Sequence, residues 1–263
     1  MPIITKITAQ QRAGRFNLFL DGKYAFPISE STLVKFRLTK DMALDAQQVA
    51  ALKAAEVQAA ANTMALNYLA RAQHTEYEVA QKLRGEQFPE AVVQAAVAQM
   101  QRLHYLNDAQ YAQSFVADDL ALSDKGPAVV AAKLRQKGVN QALIDAALAE
   151  VDAQAWLDAA MRAGKKAANQ NQRKPYFTLI QKIKQSVMQK GFDPAVADTV
   201  VESLALVPDV EQENDRLRQE AAKQWRQKRQ YSGYERRNRV KQALYRKGYQ
   251  LDAIDAVLAE FEE

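Results

Sequence analysis

The segment Lys137-Gly138-Val139 returns as Lys190-Gly191-Phe192 and Lys247-Gly248-Tyr249, and in altered form as Gln87-Phe88, with 51, 53 and 57 residues between successive anchors. Self-similarity at a fixed period of about 50 residues marks an array of like-built units, each of which must bury part of its apolar face on its neighbours. The expected object is therefore an elongated array, although 263 residues would otherwise suggest one or two ordinary domains.

Around each anchor the apolar positions keep step. Leu83, Leu134, Val187 and Leu244 stand four residues before it, and Val79, Val130, Ile183 and Val240 eight before. Val93, Ile144, Ala197 and Ile254 follow at plus six, Val97, Leu148, Val201 and Leu258 at plus ten, and Met100, Val151, Leu204 and Phe261 at plus thirteen. Such spacing predicts two amphipathic helices joined by a tight turn. Glycine suits that turn because a left-handed residue commonly ends a helix. The first repeat has Gln87 there and Gly85 two residues earlier, so its turn is expected to be built differently.

The fold class that follows is mainly α: tandem three-helix repeats preceded by a small antiparallel β-hairpin or three-stranded unit. Ile3–Thr8, Phe16–Leu20 and Lys23–Ile28 are short β-prone runs, and Asp21-Gly22 is a two-residue hairpin signal. Residues 1–28 are thus the β unit and 29–44 a short helix, capped by Ser29 or Ser31, with a linker. A long Ala-rich helix from Asp45 to Arg71 opens the first repeat, 45–103. The others span 104–151, 152–206 and 208–263. Pro127, Pro175, Pro194 and Pro208 fall at helix or module starts, where proline is tolerated.

Net charge is only +5, but it is unevenly spread. From Arg162 to Lys190 there are eight Lys or Arg and no acid, and from Arg216 to Lys247 twelve against Glu220 and Glu235 alone. Second helices are basic, while third helices carry Asp145, Glu150 and Asp152, or Asp252, Asp255, Glu260, Glu262 and Glu263. Nucleic acid would then lie along the basic helices through phosphate contacts that position without specifying sequence. The candidate contacts are Lys165, Lys166, Arg173, Lys174, Lys182 and Lys184 in the third repeat and Arg226, Lys228, Arg229, Arg236, Arg237, Arg239 and Lys241 in the fourth. Trp225 and Tyr231 either stack on unpaired bases or pack in the core; Phe177 and Tyr245 are expected in the core.

No catalytic constellation stands out. His74 and His104 lack partners at metal spacing, and no cofactor is implied. Ala163-Gly164-Lys165-Lys166 lies inside a helical pattern and lacks the upstream glycine of a phosphate loop. Asp118, Asp119 and Asp124 read as solvated carboxylates. With no cysteine, no signal-like segment and no apolar run of membrane length, a cytoplasmic protein that acts by binding is expected.

Leu103-His104-Tyr105-Leu106-Asn107-Asp108, continuing to Tyr111, Ala112 and Phe115, resembles the motif linking the first two repeats of the RecX family of recombinase regulators. Lys125-Gly126-Pro127 running to Leu134 and Lys137-Gly138-Val139 is similar to its second-repeat signature, and Gly14 to Gly22 to the amino-terminal hairpin of its longer, Gram-positive members. The chain departs from the family at His74, often arginine, and at Lys133, commonly glutamate. The resemblance implies a bacterial regulator that binds the RecA recombinase within its filament on DNA and restrains filament growth, ATP hydrolysis and strand exchange. A monomer is expected, and the rival readings are a phosphate-contacting DNA binder and a helical scaffold for another partner.

Overall fold

The structure, a computed structural model, describes residues 1–261, so Glu262 and Glu263, expected from the sequence in the acidic last helix, lie outside the described residues. It has a three-stranded antiparallel sheet, β1 (Ile4–Ala9), β2 (Arg15–Leu20) and β3 (Lys23–Ser29), in the order β1-β2-β3. Asp21 and Gly22, both left-handed at φ 48° and 80°, make the two-residue turn between β2 and β3. That conformation matches the twist of the flanking strands. One sheet face is closed by α1 (Glu30–Lys35) and α2 (Ala46–Leu69), which bury Ile4, Leu18, Ile28 and Leu52. Ser29, rather than Ser31, caps α1, and Asp45 forms a capping box with Gln48 at the start of α2.

Among the described residues twelve helices then fall into triads: α2, α3 (Glu76–Gly85) and α4 (Glu90–Arg102); α5 (Asp108–Leu122), α6 (Pro127–Gln136) and α7 (Gln141–Ala149); α8 (Ala153–Asn171), α9 (Tyr176–Gln189) and α10 (Pro194–Leu204); α11 (Val210–Gln227), α12 (Gly233–Arg246) and α13 (Leu251–Ala259). The apolar grid lies inside them, except that Val151 and Phe261 follow the ends of α7 and α13. Val79, Val130, Ile183 and Val240, with Leu83, Leu134, Val187 and Leu244, are all 0% exposed. Full burial of such side chains stabilises by about 1.5–3 kcal/mol each. Two compact units divide the chain: Met1–Gln113 with Leu134–Ile144, and Ser114–Lys133 with the residues from Asp145 onward. The three helices of the second repeat therefore contribute to both.

Every repeat turns the same corner between its second and third helices. Gly138 N–H donates to Arg135 O at 2.9 Å and Val139 N–H to Leu134 O at 3.1 Å, the paired bonds of a Schellman cap. Gly191 and Gly248 do likewise. Contrary to the sequence expectation, so does Gln87, at φ 62°, its N–H donating to Arg84 O and the Phe88 N–H to Leu83 O; Gly85 stays inside α3. The glycine is thus dispensable for the turn itself, and its recurrence has another cause.

Candidate functional site

That cause is the joint between repeats. A Cβ on Gly138 would overlap the Cβ of Tyr77, one on Gly248 the Thr178 hydroxyl, and one on Gly191 would stand 2.7 Å from Val129 N. Tyr77, Val129 and Thr178 all lie in the first turn of the preceding repeat's second helix. The corner docks its carbonyls on that helix start, where N–H groups lack intrahelical partners. Thr75 Oγ1 donates to Lys137 O at 2.6 Å, Gly126 N–H to Lys190 O at 2.7 Å, Ala128 N–H to Gly191 O at 3.2 Å and Thr178 Oγ1 to Lys247 O at 3.0 Å. Gln87 has no earlier repeat to meet and is exposed.

Carboxylates complete two of the joints. Asp108 Oδ1 accepts from Glu76 N–H at 2.9 Å, and Glu213 Oε1 from Tyr176 N–H at 3.1 Å, so the next repeat's first helix caps the previous repeat's second. Asp108 is 8% exposed; burial, together with the charges of Glu76 and Glu78, holds its carboxyl above the ordinary range despite that hydrogen bond. Burial also pushes Glu78 upward, but hydrogen bonds from Lys137, at 2.7 Å, and from Thr75 N–H outweigh it and leave Glu78 below the range. Lys137 further lies over the Tyr111 ring at 5.6 Å. Of the motif residues, Asn107 caps α5 by accepting from Gln110 N–H, Asp108, Tyr111 and Gly138 belong to the joint, and Tyr105 is 59% exposed. Sequence reasoning singled these out as a motif without finding what they do.

The predicted contacts divide into inward and outward groups. Lys184 pairs with Asp198 at 2.6 Å, and Lys241 and Arg237 pair with Asp255 at 2.5 and 3.5 Å, so second-helix cations meet third-helix acids inside one repeat. The hydrogen bond from Lys241, with Arg237 beside it, holds the Asp255 carboxyl below its ordinary range. Arg236 lies over the Trp225 ring at 4.4 Å and donates to Trp225 O, while Arg239 covers the Tyr231 ring at 4.0 Å and pairs with Glu235. Trp225 also rests 5.8 Å from the Phe261 ring. Lys228 donates to Gln224 and Lys182 to Gln185. Lys165, Lys166, Arg173, Lys174, Arg226 and Arg229 are exposed, Lys166 reaching Asp124 at 3.7 Å.

Three expectations are corrected. Phe177 and Tyr245 are 52% and 58% exposed, not in the core. Tyr245 follows buried Leu244, which turns it about 100° round the helix. Phe177 sits at the second position of α9, on the lip of a cleft lined by Tyr176, Val210, Leu217 and Tyr249. Asp119 and Asp124 are paired, with Lys133 and with Lys190. His74 stacks on Tyr68 at 3.7 Å, and His104 is exposed in a left-handed turn. Gly164 is buried in α8, where a Cβ would overlap Val200. Among the described residues no group of side chains is arranged to hold a metal, and no helix is long and apolar enough to cross a membrane.

Three-helix repeats joined corner to helix start, behind a small sheet, define a tandem helical-repeat protein. Family profiles match at residues 2–45 (regulatory protein RecX N-terminal domain), 61–100, 107–148 and 211–258 (first, second and third RecX three-helix domains). Regulatory protein RecX of Lacticaseibacillus casei (strain BL23) is 43% identical over the full length of both chains. That of Limosilactobacillus reuteri (strain DSM 20016) is 40% identical over 98% of each. A crystal structure of regulatory protein RecX, 35% identical, superimposes with a TM-score of 0.71 over 77% of this chain and all of that one. The chain belongs to the RecX family of regulatory proteins. The profile for the third three-helix domain falls on its fourth repeat, and α8–α10 lie between the matched segments.

Proposed function

We propose that this chain is a non-enzymatic, cytoplasmic, monomeric regulator of homologous recombination. It binds the RecA recombinase and its filament on DNA and limits filament growth, ATP hydrolysis and strand exchange. The observation that carries this reading, beside the family, is the recurring joint, in which the buried Thr75 and Asp108, and Thr178, hold one repeat to the next. A protein so built offers successive binding modules, here 45–103, 104–151, 152–206 and 208–263, and each further module engages at high effective concentration once the first is bound.

A second reading, DNA binding chiefly through phosphates, is favoured by the outward cations Lys165, Arg173, Lys174, Arg226 and Arg229. Arg226 and Arg229 discriminate, because both are exposed and Arg226 donates to Ala222 O of its own helix, whereas Arg236, Arg237 and Arg239 hold internal contacts. The Arg226→Ala/Arg229→Ala protein is expected to bind a labelled oligonucleotide several-fold more weakly yet inhibit the ATPase of the recombinase filament as wild type does. Parallel loss of both activities would favour the second reading, and no ATPase inhibition by the unaltered chain would end the first.

A further inference from the structure

The joint between the third and fourth repeats leaves a cleft of about 330 Å³ between the start of α9, the first turns of α11 and the corner before α13. Leu217 and Tyr249 line it from the buried side. Phe177 and Val210 line it from the solvent side, and both are exposed, as is Val207 beside lining Pro208. Large apolar side chains gathered in water round a concave surface mark an interaction site, whereas single ones do not. The cleft is fixed by its own bonds. The Tyr176 hydroxyl donates to Leu206 O at 3.0 Å, which anchors the linker carrying Val207 and Pro208, and Glu213 Oε1 accepts from Tyr176 N–H at 3.1 Å. At the joint of the first two repeats the corresponding cleft is lined instead by Glu76, Arg84, Gln94 and Asp108.

Charge sets the cleft apart from the repeats that build it. Twelve Lys or Arg lie between Arg216 and Lys247, yet no cation lines the cleft, whose ionised lining group is Glu213. Asp209 and Glu211 flank Val210, and Asp252 follows Gln250 by two residues. Of the cations closest in sequence to the walls, Arg216 is turned onto Gln172 O and Gln212, Lys247 is paired with Glu220 at 2.6 Å, and Arg173 and Lys174 stand in solvent before Pro175. Four carboxylates round an apolar hollow repel a nucleic acid strand and attract an apolar side chain that has a cation beside it. We propose that this cleft seats a segment of the protein partner, one large apolar side chain flanked by Lys or Arg. The inference deepens the regulator reading and rests on it for the partner's identity, the recombinase. One wall, Tyr176 and Phe177, belongs to the repeat lying between the segments that the family profiles match, so the seat is what that repeat contributes.

The test uses the full chain and three variants, Phe177→Ser/Val210→Ser, its apolar counterpart Phe177→Leu/Val210→Leu, and Glu211→Gln/Asp252→Asn. Each is titrated against recombinase filaments assembled on oligothymidine and against the oligothymidine alone. The serine variant should lose about ten-fold in affinity for the filament, since anchors in a desolvated pocket carry most of the energy of an interface. The leucine counterpart should retain filament binding, and both should bind the bare oligonucleotide as wild type does. Removing the two rim carboxylates should weaken filament binding several-fold at low salt, with the difference closing as salt rises. A cleft that faces the strand demands the opposite sign, so tighter binding of Glu211→Gln/Asp252→Asn to both probes would overturn the seat. A serine variant that binds the filament as wild type does would also overturn it and leave the regulator reading standing, whereas no filament binding by the wild type would end both. A wild type that sediments as a dimer, with the serine variant a monomer, would assign the cleft to a second copy and overturn the recombinase as its occupant.

Discussion

Gly138 and Gln87 hold one backbone conformation under different constraints. At Gln87 only the left-handed φ must be met, which costs a non-glycine residue about 1–2 kcal/mol and leaves its side chain in solvent. At Gly138 the Cβ position is already occupied by Tyr77. Gly138→Ala should therefore incur the same backbone cost plus about 1–3 kcal/mol of overpacking, while Gln87→Gly should change stability by less than about 1 kcal/mol, since the relief of φ is offset by glycine's extra chain entropy. Urea denaturation of the two variants checks this, and equal losses would show that conformation alone selects the glycine. The contrast explains why the first corner was misread from sequence. Sequence alone assigns the glycine to the turn, whereas it answers to Tyr77, 61 residues upstream of Gly138.

The helices themselves were legible because each carries its own instructions. Val79, Leu83, Val93 and Val97 repeat at helical spacing, and Asp45 and Thr75 stand where caps belong. What ties one helix start to another repeat was not legible. Asp108 and Glu76 are 32 residues apart, Thr75 and Lys137 62, and no local pattern encodes their meeting. Asp108 tests this cap directly. Asp108→Ala removes the acceptor from a buried N–H and should cost about 1–3 kcal/mol, whereas Asp108→Asn keeps an acceptor and removes a charge that burial disfavours. The sign with pH follows. Because the folded state raises the Asp108 pKa, it binds that proton more tightly than the unfolded chain, so this residue contributes relative stability as pH falls through its folded value and loses it as pH rises. Asp108→Asn should thus gain on wild type between pH 4 and pH 7 in thermal melts, and a gain confined to low pH would contradict the burial of the charge.

Joints between nearest neighbours make the stability of an array a sum of repeat terms and interface terms, so a weakened interface should uncouple what it joined. The third and fourth repeats meet through Gly248 against Thr178, the Thr178 hydroxyl on Lys247 O, and Glu213 on Tyr176 N–H. Gly248→Ala combines a positive φ of 95° with overlap on Thr178 and strikes all three together. The chain's two tryptophans report the outcome separately, Trp156 lying in α8 of the third repeat and Trp225 in α11 of the fourth. Single-tryptophan proteins made with Trp156→Phe or Trp225→Phe should melt at one shared midpoint when Gly248 is intact. In the Gly248→Ala background the Trp225 signal should melt first, and adding Thr178→Ala, which removes the overlapping hydroxyl, should bring the two midpoints partly together. Coincident midpoints that Gly248→Ala leaves unmoved would mean that the fourth repeat is held by something other than this corner. A shift of both signals by the same amount would place Gly248 in a common core, not at a boundary between repeats.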